Sequence, residues 1–147
     1  MSLSAGPFTV AEVMTAAPAV LHVTQSIRAA QRILADNPYQ HIPVIQGGKL
    51  IGILSDRDIA AFLAGRPHAA DLEVALAMTA DPVSVAPETP AETAAELLIR
   101  HRVHSLPVVD GDMGKLLGIV TPTDLMRLLI RIISPASQSG EIAQGSA

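Results

Sequence analysis

Two halves of the chain match each other at a constant offset, so the fold must be one plan built twice. Met14-Thr15 recurs as Met78-Thr79, Pro18 as Pro82, Ile42-Pro43-Val44 as Leu106-Pro107-Val108 and Gly47 as Gly111, each shifted by 64 positions. Past that turn the shift becomes 66, because Met113-Gly114 is inserted. Lys49-Leu50-Ile51-Gly52-Ile53 then matches Lys115-Leu116-Leu117-Gly118-Ile119, and Ser55 and Asp58 match Thr121 and Asp124. A turn is where an insertion is tolerated. The repeats are placed at 8–66 and 74–133, with 67–73 as linker and 134–147 as a small, polar, disordered tail.

Local signals give each half the order helix, strand, helix, strand, strand, helix. Thr9 with Glu12 forms a capping box for a short helix ending near Met14, and Asp71 is read as the equivalent cap before Leu72 to Met78. Pro18 and Pro82 end these pieces, and short strands are expected at Val20 to Val23 and Val83 to Val85. The next helix is clearest in the second half, with Thr89 as cap, Pro90 at the first helical position and Glu92 closing the box. Ala91, Ala94, Ala95, Leu98 and Ile99 make its buried face, while Asn37-Pro38 ends the first-half copy. His41 to Gln46 and Lys49 to Ser55 flank Gly47-Gly48 and read as a hairpin. Ser105 to Asp110 and Lys115 to Thr121 repeat it around Gly111 to Gly114. A last helix follows Ser55 and Thr121. Gly65-Arg66-Pro67 stops the first copy, and Leu125, Leu128, Leu129, Ile132 and Ile133 stripe the second. Sixty residues make a marginal core, so the halves should pack together. The fold class expected is α+β, a pseudo-twofold pair of small sheets with helices outside and two related clefts between the halves.

Composition removes whole classes of function. No apolar run nears the roughly 18 residues that span a bilayer, and Met1 to Val10 lack the pattern of a secretory signal, so a cytoplasmic location with no membrane partner is expected. Cys is absent, which excludes disulfides, thiolate nucleophiles and Cys-ligated zinc. The net charge is −4 with basic residues scattered, an arrangement unsuited to nucleic acid. Aromatics are 2% (Phe8, Tyr39 and Phe62), so a ligand must be gripped by aliphatic walls and backbone.

The repeated Gly52-Ile53-Leu54-Ser55-Asp56-Arg57-Asp58 and Gly118-Ile119-Val120-Thr121-Pro122-Thr123-Asp124 each run a buried strand into a helix through a hydroxyl residue. Free N–H groups and the positive end of the helix dipole suit an anion there. Asp58 and Asp124 add an acceptor-only carboxylate on the same turn, suited to the paired hydroxyls of a ribose, and Arg57 adds charge for a phosphate. The same residues also read as an ordinary helix start, since Asp in a first turn is favourable by roughly 0.3–1 kcal/mol.

The double pattern Val-Met-Thr or Ala-Met-Thr, helix, His-x-Ile/Leu-Pro-Val, turn, Gly-Ile-x-Ser/Thr-x-x-Asp resembles the cystathionine-beta-synthase (CBS) domain in its tandem form, the Bateman module, over about Val10 to Leu129. That resemblance implies a regulatory module that binds AMP, ADP or ATP, with S-adenosylmethionine or NAD(H) as lesser alternatives, in clefts between the repeats. No cofactor is required for it. It also implies association of two modules into a flat disc, and signalling to an effector protein of unknown identity. Carried onto this chain, it assigns ribose contacts to Asp58 and Asp124 and ribose or phosphate contacts to Ser55 and Thr121, with Arg57 beside the first. The adenine pocket falls to Thr15, Thr79 and Val83 with Ile42-Pro43 and Leu106-Pro107, and His104 edges a cleft. Repeat 1 has Asp56-Arg57 where repeat 2 has Pro122-Thr123, so the clefts should differ and the first should favour phosphorylated ligands. Arg100, Arg102 and the nearby histidines are further sources of charge for either.

His101 and His104 do not complete a metal set, because no carboxylate joins them and one closes a helix while the other approaches a strand. No nucleophile elbow, zincin helix or Walker loop is present, so no catalysis is expected. Met14 and Met78 fall near the clefts. The apolar run Leu125 to Ile133, widened by Met126 and Ile130, reads as an oligomer contact or as burial between the repeats. The alternative to a ligand sensor is a dimerisation platform that binds no ligand.

Overall fold

A computed structural model describes residues 8–37, 40–111 and 114–134. The expectation of a disordered tail therefore lies outside the described residues from 135 onward, as do residues 1–7, Pro38, Tyr39, Asp112 and Met113. In chain order the elements are α1 (Val10–Val13), β1 (Thr15–Ala16), β2 (Leu21–His22), α2 (Ile27–Asp36), β3 (His41–Gln46), β4 (Lys49–Ser55) and α3 (Asp56–Leu63). Two single-turn 3-10 helices (Ala69–Asp71 and Val74–Leu76) follow. The second half continues with β5 (Thr79–Ala80), α4 (Ala91–His101), β6 (Leu106–Val109), β7 (Leu116–Val120) and α5 (Pro122–Ile133).

The two hairpins form as their turn residues demand. Gly47 and Gly48 both take positive φ, +59° and +80°, which closes β3 on β4 in two residues. Both hairpins slip register at the same repeat position, between Val44 and Ile45 and between Val108 and Val109. The sheets have orders β2-β3-β4-β5 and β1-β7-β6, with β2 parallel to β3 and the remaining pairs antiparallel.

Each half lends its first strand to the other. Thr15 and Ala16 of repeat 1 pair with Ile119 and Gly118, while Thr79 and Ala80 of repeat 2 pair with Ile53 and Gly52. Val10 of α1 is buried in the second core with Val85, Ala94, Leu98, Leu106, Val108 and Val120. Val74 is buried in the first, with Leu21, Val23, Ile27, Ala30, Ile42, Val44, Leu54 and Ile59. The packing units are thus offset from the sequence repeats, and neither closes its sheet without the other. The glycines opposite the lent strands make room for them: a Cβ on Gly118 would sit 2.6 Å from Met14 Sδ and 2.8 Å from the Thr15 carbonyl oxygen. One on Gly52 would sit 2.5 Å from Met78 Sδ. After each lent strand the chain turns back through a left-handed residue, Ala17 (φ 48°) or Asp81 (φ 50°), before the proline. Left-handed backbone costs a side-chain-bearing residue roughly 1–2 kcal/mol, so the reversal is held by the pairing around it.

Several local expectations are corrected. Asp71 caps no helix over Leu72 to Met78. The Val74 amide donates to the Gln25 carbonyl and the Leu72 carbonyl accepts from Ile27, so the stretch is tied to the start of α2 and coils only over the 3-10 turn Val74–Leu76, which Glu73 precedes. The Asp71 carboxylate meets Arg28 at 3.1 Å on the surface. Thr89 is not the cap of α4: Pro90 is, because the Ala91 amide donates to the Phe8 carbonyl and the Thr89 hydroxyl accepts from the Ala86 amide. Of the two early strands only Leu21–His22 forms, and Val83 to Val85 make a single parallel bridge, Val85 to Val108. On α4, Ala91, Ala94 and Leu98 are buried, but Ile99 is 78% exposed. On α5 only Leu128 of the apolar stripe is buried, and Leu129, Ile132 and Ile133 face outward with Met126 and Ile130. The small second core is filled by the inner half of each stripe. The outer halves line an open groove of about 820 Å³ between α4 and α5, reaching Phe8.

Candidate functional site

Ser55 ends β4 and Thr121 follows β7, both in extended backbone, and they cap α3 and α5. At the first junction Ser55 Oγ accepts from the Asp58 amide (3.0 Å) while Asp58 Oδ2 accepts from the Ser55 amide (2.9 Å). At the second, Thr121 Oγ1 accepts from the Asp124 amide (3.4 Å) and Asp124 Oδ2 accepts from the Thr121 amide (2.9 Å). Both are reciprocal capping boxes, so the ordinary helix-start reading is realised in full. The expectation of several free amides is corrected. The Asp56 amide donates to the Gln40 carbonyl, and Pro122 has none. Among the described residues this leaves one first-turn amide per junction, on Arg57 and on Thr123, and any anion must be met chiefly by side chains.

The cap does not use up Asp58. Its Oδ1 receives no hydrogen bond among the described residues, and the side chain is half-buried beside exposed Arg57. His41 pairs with Ser55 across β3 and β4, and its ring stacks on His104 of the other half, with centroids 6.0 Å apart and planes 20° from parallel. Burial lowers the His41 pKa below its ordinary value, His104 and Arg57 lower it further, and Asp56 and Asp58 pull it partly back. The neutral imidazole that results can donate or accept at either nitrogen according to its tautomer. Thr79, from the strand that repeat 2 lends, is exposed two residues down β4 from Ser55, paired with Ile53, and Pro43 lies on the other side of Ile53. The strand pairings and the histidine stack thus bring Thr79 and His104 of the second half to the strand that ends at Ser55, next to Arg57 and Asp58.

The second junction holds its carboxylate more deeply, beside a hollow of about 280 Å³ lined by Thr15, Asp124 and Arg127. Asp124 is 8% exposed, and Thr15 Oγ1, from the strand lent by repeat 1, donates to its Oδ1 at 3.3 Å. Thr121 Oγ1 donates to Oδ2 at 3.1 Å, and Arg127 reaches Oδ1 at 4.0 Å. Pro107 is buried beside Ile119, with its carbonyl accepting from the Val85 amide, and Val83 packs against the second core. Ile42 and Leu106 are core residues, 1% and 0% exposed, so only their main chain can border a cleft. Arg100 and Arg102 are exposed, and Arg102 closes α4 in a left-handed turn (φ 54°). The lent strands and the glycines facing them escaped the sequence reading. Their signal was present, as Gly52 and Gly118 recur mid-strand where no turn needs them.

With this geometry in hand, the comparisons are specific. The profile of the family described as CBS domain matches residues 10–65 and 70–131, and the chain belongs to that family. It is 32% identical over 117 residues to CBS domain-containing protein YhcV of Bacillus subtilis, covering 80% of this chain and 82% of that one. The crystal structure of CBSX2 in complex with AMP superposes with a TM-score of 0.76 at 32% identity, covering 85% of this chain and 98% of that one. The CBS domain pair of protein MJ0100 in complex with 5-methylthioadenosine and S-adenosyl-L-methionine gives 0.74 at 29%, covering 83% and 99%. The chain spans only about a quarter of the curated enzymes it matches. For inosine-5'-monophosphate dehydrogenase of Korarchaeum cryptofilum the identity is 29% over 95% of this chain and 27% of the enzyme. No helix among the described residues is long and apolar enough to cross a membrane.

Proposed function

We propose that this chain is a regulatory module that binds an adenosine ligand of the AMP, ADP or ATP class between its repeats, performs no chemistry itself and passes occupancy to an effector protein. The observation that carries this reading is the half-buried Asp58 carboxylate. It is fixed by its helix cap with Ser55, with one oxygen left over; Arg57 precedes it, and His41, stacked on His104, pairs with Ser55. An acceptor-only group suits the adjacent hydroxyls of a ribose, and Arg57 suits the phosphate beyond it. The complexes of CBSX2 with AMP and of MJ0100 with S-adenosyl-L-methionine and 5-methylthioadenosine support the adenosine class. A ligand shared by two halves that each complete the other's sheet can bias their packing by its differential affinity for two arrangements. Self-association into a homodimer through the exposed α4–α5 groove is part of the proposal, since so large an apolar face rarely stays uncovered.

The test is a melting series with AMP, ADP, ATP, NADH and S-adenosylmethionine. A ligand at 100 times its dissociation constant adds about 2.7 kcal/mol, and Asp58→Asn, which keeps the cap acceptor, removes the gain. No shift with any member would leave the second reading, a dimerisation platform without a ligand.

A further inference from the structure

A contact between the halves rests on two side chains of the type that takes up protons near neutrality. His41, on β3, stacks on His104, which stands just before β6, with ring centroids 6.0 Å apart and planes 20° from parallel. Duplication did not copy the pair: at the offset of 64, Ser105 corresponds to His41 and Gln40 to His104. His104 is exposed, so a proton reaches it without rearrangement. His41 is half-buried, and the charged or titratable groups that face it are His104 from the second half and Asp56, Arg57 and Asp58 from the start of α3. Burial is the largest influence on its ring and opposes a proton; His104 and Arg57 oppose it too, and the two carboxylates favour it.

A first proton sets a charged ring against a neutral one, and no like charges meet. A second sets two imidazoliums 6.0 Å apart, inside the screening length of about 8 Å at physiological ionic strength, so salt hides little of their repulsion. We propose that the His41–His104 stack is a proton-operated contact between the repeats, closed while either ring is neutral and opened when mild acid charges both. Opening spares the lent strands, because β1 on β7 and β5 on β4 are held by backbone pairing, which does not titrate. The halves therefore stay joined by strand exchange and part at the histidine edge, beside the junction that His41 adjoins through Ser55. Because burial disfavours a charged His41, the contact is closed at neutral pH and yields below the ordinary histidine value of 6.5. It needs no nucleotide, and so stands or falls apart from the adenosine reading.

Proton NMR of the full chain without nucleotide, titrated from about pH 8 to about pH 5, tests this. In wild type the cross-peaks between the two imidazole rings are present at the start and lost once both rings have protonated, while the Thr15 and Thr79 amide signals keep their folded dispersion. His104→Gln, at an exposed position, removes one opposing charge, so His41 titrates at higher pH than in wild type. His41→Phe keeps a ring on His104 that takes no proton, so its ring cross-peaks survive to the acid end. Four results would overturn the proposal: no ring cross-peaks in wild type at neutral pH, cross-peaks that persist after both rings have protonated, a His41 curve unmoved by His104→Gln, or collapse of the whole amide spectrum in the same acid step.

Discussion

Gly118→Ala probes the strand exchange directly. The new Cβ would stand 2.6 Å from Met14 Sδ and 2.8 Å from the Thr15 carbonyl oxygen, both well inside contact distance. Met14 can rotate away. The carbonyl cannot, because Thr15 and Ala16 are paired to Ile119 and Gly118 themselves, so the lent strand must shift. Overpacking of this kind costs about 1–3 kcal/mol, and at about 2–4 °C per kcal/mol for a chain of this size the melting temperature falls by roughly 2–12 °C. At Gly52 the equivalent carbonyl, that of Thr79, is 3.0 Å away and the closer group is the flexible Met78 sulfur, so Gly52→Ala should cost less. Adding Met14→Ala to Gly118→Ala should restore little of the loss, because it relieves the side chain and not the backbone. Differential scanning calorimetry of the four proteins decides it. If Gly118→Ala melts within about 1 °C of wild type, or no lower than Gly52→Ala, the lent strand is not held as described.

Other consequences follow from the same structure. The folded His41 pKa is lowered from its ordinary 6.5, chiefly by burial, so the unfolded chain binds the proton first. Stability is therefore complete above the unfolded value and falls as pH drops below about 6.5 toward the folded pKa. Urea midpoints at pH 7.5 and 5.5 should show a smaller loss in His41→Gln than in wild type, and an equal loss would contradict the burial. The exposed face of α4 and α5 should hold the homodimer. Leu129→Asp, at a side chain 54% exposed, should yield monomers in sedimentation with a melting temperature little changed, and a dimer of undiminished affinity would move the interface elsewhere.

Much of this was legible because the determining signals are local. Gly47-Gly48 can close only a tight hairpin, so β3 and β4 start and stop where the sequence places them, and Ser55 with Asp58 and Thr121 with Asp124 announce their helix starts through a spacing of three. The strand exchange left only an indirect trace, the mid-strand Gly52 and Gly118, since pairing Thr15 with Ile119 is a long-range event and β1 is two residues long. Asp71 misled because its spacing imitates a cap, while the backbone around it is committed to Gln25 and Ile27. The apolar stripe of α5 was read correctly as apolar, but periodicity cannot tell burial within a chain from a face left open. The unequal state of the two carboxylates was also hidden, because Thr15 reaches Asp124 across 109 positions.

The central claim concerns the ground around Asp58, and an amide-proton NMR titration of the assigned chain with AMP tests it most directly. The account predicts that the largest, saturable shifts fall on Ser55, Arg57, Asp58, Thr79 and the His41–His104 contact. Shifts confined to the α4–α5 groove, or none at any concentration of AMP, ADP or ATP, would contradict it.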